Sequence, residues 1–172
     1  QQLIDSYRAA HDGQYPDKLA FSLWGVETMR HNGILESQVF AALGVRPVWD
    51  DGGRIEKVEL IGSAELGRPR IDVVLSATGL YRDQFAALMQ RMNEAIALAS
   101  EADCGDNVIA RHSAGVRERL LARGLALDVA DRYARTRIYS SAQGSYGSGL
   151  GGNVLKTDAW EADTELATGY LA

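Results

Sequence analysis

Along residues 19–25, LAFSLWG, apolar side chains fall on every second position, Leu19, Phe21 and Leu23, which predicts a strand entered from the YPDK turn and closed at Gly25. The period then changes. From Glu36, ESQVFAALG spaces Val39, Phe40 and Leu43 by three and four before Gly44, the pattern of a helix ended by a left-handed glycine. VRPVWD is a short extended run whose Pro47 bars a central ladder position unless it lies at a strand end, and after the Asp51-Gly52-Gly53 turn RIEKVELIG predicts another strand. IDVVLSA, at 71–77, is almost continuously apolar, as a strand covered on both faces is. Strands at 19–25 and 71–77 framing a helix predict a parallel α/β sheet.

The second half is helical in period. YRDQFAALMQRMNEAIALAS repeats Phe85, Leu88, Met89, Met92, Ile96 and Ala99 at three and four, which predicts one long helix with a core-facing stripe. After the polar break EADCGDN, Val108, His112, Val116 and Leu120 recur every four residues up to Gly124. LDVADRYART is a further helix, RIYSS returns to strand, and EADTELATGYLA reads as a final helix. The expected class is α/β, a parallel or mixed sheet with flanking helices in a Rossmann-like three-layer architecture, plus a C-terminal mainly helical segment. The boundary falls after residue 103. Residues 1–103 form the α/β domain with a strand-end site, and 104–172 the helical segment with a glycine-rich loop, continuing into the same or the next domain of a longer chain.

Composition adds limits. The 172 residues are 46% hydrophobic and 24% charged, an ordinary balance for a chain with a real core. A net charge of -5 without blocks of like charge argues against nucleic-acid or anionic-membrane binding, and no membrane-spanning segment or signal peptide is apparent. Cys104 is the only cysteine, so a disulfide framework and a cysteine zinc site are excluded within the chain, and a reducing, cytoplasmic location is expected. The chain begins at Gln1 and stops directly after a helical pattern, which reads as a piece of a longer polypeptide.

The loop QGSYGSGLGGN holds Gly147, Gly149 and Gly152 in G-x-G-x-x-G spacing. A dinucleotide site needs a helix beginning inside those glycines and an acidic residue closing a second strand about 20 residues on, and NVLKTDAWEADTE offers no such strand. A Walker A loop fails as well, because no Gly-Lys-Ser or Gly-Lys-Thr follows. Two readings stay open. Backbone without Cβ atoms can approach a ligand closely, with Tyr146 to stack or hydrogen-bond, and a flexible surface loop accounts for the same residues equally well.

Open parallel sheets bind ligands outside the carboxyl ends of their strands. At one such end SATGLYRD supplies Ser76, Thr78, Tyr81, Arg82 and Asp83, and at the other Trp24, Gly25, Glu27 and Thr28 follow the first strand. These two edges are expected to be neighbours. ELGRPRIDVV crowds Glu65, Arg68, Arg70 and Asp72 at the opposite, entering end of the apolar strand, where an Arg70–Asp72 ion pair is the structural alternative. His112 lies on an apolar stripe with no second histidine at i+4, and His11 and His31 carry no spacing signal.

Several stretches occur together in a known order: LWGVET, ESQVFAALGVRPVWD, ELGRPRIDV, GLYRD, NVIARH and RIYSSAQGSYGSGL. From about Lys18 onward the chain resembles the large subunit of cobaltochelatase, and the pattern is similar to that of the magnesium chelatase large subunit. The resemblance departs at GLGGNVL, where extra glycines stand in place of a helix-forming segment. It implies a fragment, about one-seventh, of a subunit that binds a tetrapyrrole and inserts Co²⁺, or Mg²⁺ in the magnesium relatives, with the metal as substrate. It also implies two partner subunits, one an AAA+ ATPase that binds and hydrolyses ATP. WGVET and IYSSAQGSYGSGL lean toward the cobalt enzyme, whose substrate is hydrogenobyrinic acid a,c-diamide rather than protoporphyrin IX.

Metal insertion needs a base for two pyrrole protons and oxygen ligands for a hard divalent ion. Matched by motif, Glu27, Glu36, Glu65 and His112 are the catalytic candidates, with Glu36, Glu65 and His112 as metal ligands. Trp24, Thr28, Arg68, Arg70, Thr78, Tyr81, Arg82, Asp83, Tyr146, Gly147 and Gly149 are the candidates for holding the macrocycle, the arginines through its carboxylates. Two other functions remain open, a non-catalytic subunit-docking module and a nucleotide-binding α/β domain.

Overall fold

The computed structural model describes residues 2–103, 105–144, 146 and 161–171. The chain runs α1 (Gln2–Ala10), β1 (Lys18–Leu23), α2 (Gly25–Arg30), α3 (Ile34–Leu43), β2 (Val45–Trp49), β3 (Ile55–Leu60), α4 (Ser63–Leu66) and β4 (Asp72–Ala77). It continues through α5 (Gly79–Gln84), α6 (Ala86–Glu101), α7 (Val108–Ala122), α8 (Leu127–Arg135), β5 (Ile138–Ser140) and α9 (Asp163–Leu171). A three-stranded parallel sheet, ordered β1-β4-β5 and flanked by helices, carries the architecture.

Strand character follows position. β4 is central, pairing Lys18 with Asp72 through Leu23 with Ala77 on one side and Leu75 with Ile138 on the other. Its Val73, Leu75 and Ala77 are buried, as its unbroken apolar run requires. β1 lies at an edge and alternates, with Phe21 and Leu23 buried and Lys18, Ala20 and Ser22 exposed. Val39, Phe40 and Leu43 of α3 join the same core, as do Met92, Ala95, Ile96 and Ala99 of α6. β5, from the C-terminal segment, completes the sheet begun in the first half.

Four expectations change. The first strand stops at Leu23, and Trp24 caps a short helix, α2, that the period-two pattern concealed. β2 and β3 pair with each other as a separate antiparallel hairpin, in which Pro47 faces Val58; a two-stranded ribbon leaves each strand a free edge, so a missing N–H is tolerated. The predicted long helix divides at Phe85, whose φ of -117° and ψ of 32° end α5 and begin α6 while its ring stacks on Tyr81 at 5.1 Å. On α7 burial is complete only at Val108 and Ile109, and His112, Val116 and Leu120 of the four-residue stripe are half-buried, although the helix packs on both α8 and α6.

Candidate functional site

The carboxyl ends of β1 and β4 lie side by side, with Leu23 opposite Ala77 and the Thr78 amide donating to the Leu23 carbonyl at 3.0 Å. The helices that follow them, α2 and α5, meet at Gly25. A Cβ there would stand 3.0 Å from Gln84 Oε1 and 3.2 Å from Leu80 Cγ, so a larger residue would push the helices apart. Thr78 caps α5 by accepting from the Tyr81 amide at 3.4 Å, and its burial makes it part of the scaffold.

On this edge the side chains open to solvent are Trp24, Glu27, Asp83 and, where the chain leaves β5, Tyr146. Trp24 donates through Nε1 to Ser22 Oγ at 3.0 Å, which steadies a ring still 44% exposed. Glu27 pairs with Arg30 at 2.5 Å. Arg82 is the organiser: it donates to the carbonyls of Ser141 at 2.5 Å and Ala142 at 2.9 Å, and to Asp83 at 2.8 Å. The start of the glycine-rich loop is thereby tied to α5. The Asp83 hydrogen bond raises the Arg82 pKa, and the nearby Tyr146 acts in the same direction; Asp83 is held below the usual carboxylate range by Arg82. Gly147 and Gly149 lie outside the described residues.

Beneath the edge, Thr28, Glu36 and Tyr81 form a buried polar group. Thr28 donates to Glu36 Oε1 at 2.8 Å, and the three residues are 4%, 2% and 0% exposed. Burial first, and the Glu36 charge second, push the Tyr81 phenol far above its ordinary range. Tyr81 Oη and Glu36 Oε2 have no partner of ordinary geometry, and a long hydrogen bond between the two residues adds to the rise of the Tyr81 phenol.

The remaining candidates are distributed elsewhere, and the proposed metal set Glu36, Glu65 and His112 does not converge. Among the described residues no three His, Cys, Asp or Glu side chains form a metal-sized group. Glu65, on α4, pairs with the exposed Arg46 of β2 at 2.8 Å. His112 Nδ1 meets Asp72 Oδ2 at 2.8 Å, at the amino end of β4. Arg70 and Arg68 are engaged by backbone carbonyls. Arg70 is buried and donates to the carbonyls of Leu43, Gly44 and Ile61, and Arg68 donates to those of Ala41, Ala42 and Pro69; burial lowers the Arg68 pKa. Both guanidiniums thus brace the backbone where α3 passes into β2.

The Arg70–Asp72 pair is also absent, because Arg70 is committed to carbonyls. Asp72, fully buried, instead receives Arg137 Nε at 2.8 Å, the Val73 amide at 2.9 Å and Lys18 Nζ at 3.4 Å, besides His112. Burial alone would raise the Asp72 pKa; the Arg137 and His112 hydrogen bonds and the charges of Arg137 and Lys18 overturn that and hold it below the ordinary value. Arg137 also donates to Ser113 Oγ at 2.9 Å and the Ala134 carbonyl at 2.8 Å, joining α7, α8, β4 and β5. Sequence reasoning passed over Arg137, although an arginine opening the apolar strand RIYSS was the available signal.

Comparison with known proteins agrees with this architecture. The family model described as CobN/Magnesium Chelatase matches residues 1–172. The aerobic cobaltochelatase subunit CobN of Pseudomonas aeruginosa is 37% identical over 98% of the chain, and the chloroplastic magnesium-chelatase subunit ChlH of Oryza sativa subsp. japonica 34% over 99%. A solved structure, the catalytic subunit of cobaltochelatase from Mycobacterium tuberculosis, superposes with a TM-score of 0.83 at 36% identity over 98% of the chain. The chain spans only 12% to 14% of the length of these relatives. The chain belongs to the CobN/magnesium chelatase family.

Proposed function

We propose that this chain forms part of the tetrapyrrole-binding large subunit of an ATP-dependent cobaltochelatase, which inserts Co²⁺ into hydrogenobyrinic acid a,c-diamide. The observation that carries the reading is the carboxyl edge of the parallel sheet, which carries Trp24 and Glu27 after β1 and, after β4, an Arg82 that anchors the start of the glycine-rich loop with Tyr146 nearby. Aromatic faces suit a macrocycle, and Arg82, through its bonds to the Ser141 and Ala142 carbonyls, positions the start of the loop beside them. Insertion replaces ring N–H protons by one divalent ion, one proton from a corrin and two from a porphyrin, and Glu27, half-buried on this edge and paired with Arg30, is the carboxylate we assign to receive a proton there.

The cobalt reading is supported by the cobaltochelatase relatives, at 37% and 36% identity, and by the WGVET and IYSSAQGSYGSGL motifs. Mg²⁺ insertion into protoporphyrin IX is the second reading, supported by the rice magnesium-chelatase subunit, 34% identical over 99% of this chain. In either case an AAA+ partner subunit hydrolyses ATP and a second small subunit completes the assembly. The test is metal insertion by the large subunit containing this chain, assembled with both partners and ATP. Co²⁺ entry into the corrin precursor without Mg²⁺ entry into protoporphyrin IX is expected, the reverse selectivity would establish the magnesium reading, and no insertion of either would overturn both.

A further inference from the structure

The two faces of the parallel sheet are covered unequally. Phe21 stands in register with Leu75, and Leu75 with Ile138, so these residues share one face. α3 and α6 cover it, burying Phe21 and Leu75 in one cluster with Val39 and Ile96. The opposite face carries the alternate residues. Across it Lys18 pairs with Asp72, Ala20 with Val74, and Ser22 with Ser76, which pairs in turn with Tyr139.

On this second face α7 covers only the amino end, where His112 meets Asp72 at 2.8 Å and Ser113 accepts from Arg137 at 2.9 Å. Beyond it Ala20 and Ser22 are exposed, Val74 and Ser76 of the central strand are half-buried, and Tyr139 is 54% exposed. Trp24, donating to Ser22 Oγ at 3.0 Å, bounds the strip at its carboxyl end. None of the five strip residues is charged.

Such a strip is out of place on a parallel sheet, whose central strands are covered by helices on both faces. β4 has the sequence for that position, apolar at Val73, Val74 and Leu75 alike, yet Val74 keeps solvent contact. The side chains of Ala20, Ser22 and Ser76 are small, which lets a helix approach the sheet closely. The strip crosses all three strands, and at about 4.8 Å between strands it is about 10 Å wide, the width of one helix. This chain spans only 12% to 14% of the length of its relatives, so a subunit of their length holds ample polypeptide to complete the layer.

We propose that the strip seats a helix of the same large subunit, from the part outside these 172 residues, lying beside α7 with an uncharged aliphatic stripe against Ala20 and Val74. The inference rests on the reading of this chain as part of that subunit.

The test uses the whole large subunit alone, without partner subunits, ATP or macrocycle. Ala20→Cys, at an exposed position of an edge strand, is labelled with a maleimide and read by the mass of its peptide. Labelling at least tenfold slower in the native subunit than in its urea-unfolded form is expected, and a smaller difference would overturn the proposal. p-Benzoylphenylalanine in place of Tyr139 then identifies the occupant by photo-cross-linking and tandem mass spectrometry, with isotope-labelled subunit mixed in to separate one copy from two. Attachment to a peptide of the same copy outside residues 1–172 is expected. Attachment within residues 1–172 or to a second copy, or no attachment, would overturn the proposal. The intact mass of the protein from its source tests the subunit reading separately: a mature protein of 18.7 kDa would end that reading, whereas a long subunit that labels freely at Ala20→Cys would end only this inference.

Discussion

Replacing Asp72 by asparagine removes the one full negative charge that balances Arg137, whose side chain is 5% exposed. Asparagine can still accept the Val73 amide, but it offers Arg137, His112 and Lys18 a neutral oxygen. Breaking a buried pair on one side costs roughly 3–5 kcal/mol because the other charge stays behind. The lower end applies here, since Lys18 and His112 are partly open to solvent. At about 2–4 °C per kcal/mol for a chain of this size, a loss of about 3 kcal/mol lowers the melting temperature by about 6–12 °C. With a urea slope of about 2 kcal/mol per M, the midpoint moves by about 1.5 M. The pH dependence has a defined sign. The folded Asp72 pKa lies below its unfolded value, so its stabilisation is complete above about pH 4 and is lost as pH falls through the folded pKa. The gap between wild type and Asp72→Asn in urea melts should therefore be full at pH 6 and narrow in acid. Arg137→Met is the second arm: the double variant should be less destabilised than the sum of the singles. A melting-temperature change under about 2 °C, or strict additivity, would refute the argument that Asp72 and Arg137 hold β4, β5, α7 and α8 together.

Three further outcomes separate scaffold from surface. Gly44→Ala places a Cβ at φ 69° against the Arg70 guanidinium and Leu66, and should cost more than about 2 kcal/mol by urea denaturation, while Gly53→Ala, at φ 74° in open space, should cost about 1 kcal/mol. Thr28→Val removes a hydrogen-bond donor to the buried Glu36 carboxylate and should destabilise by about 1–3 kcal/mol in the same assay. Glu65→Gln loses only an exposed pair with Arg46 and should change stability by less than about 1 kcal/mol and leave metal insertion by the whole complex unaltered; a large loss of insertion would return Glu65 to the reaction.

The legible parts of the fold were those where one physical effect dominates. Continuous apolarity at 71–77 marked the central strand, and period two at Leu19, Phe21 and Leu23 marked its parallel neighbour. The adjacency of their carboxyl ends followed from that topology. What escaped was set by tertiary contacts. Nothing local in QFAALM requires a break at Phe85, which stacks on a tyrosine four residues earlier, and nothing near Trp24 distinguishes a strand end from a helix cap. Of the candidate site, Trp24, Arg82, Asp83 and Tyr146 share one region because they follow adjacent strand ends. The bonds of Arg68 and Arg70 to backbone carbonyls were not legible, because an arginine that binds carbonyls has the same local sequence as one that binds a carboxylate. His112 and Asp72, forty residues apart, could be joined only by the packing of α7 on the sheet.

The most direct single measurement is the affinity of the large subunit containing this chain for hydrogenobyrinic acid a,c-diamide, followed by tryptophan quenching with inner-filter correction, in the wild type and in Arg82→Met, Trp24→Ala and Glu65→Gln forms. Binding weakened at least tenfold by Arg82→Met and severalfold by Trp24→Ala, with Glu65→Gln unchanged, is the expected result. Folded Arg82→Met and Trp24→Ala subunits that bind the macrocycle as tightly as wild type would contradict the assignment of the carboxyl edge to the substrate.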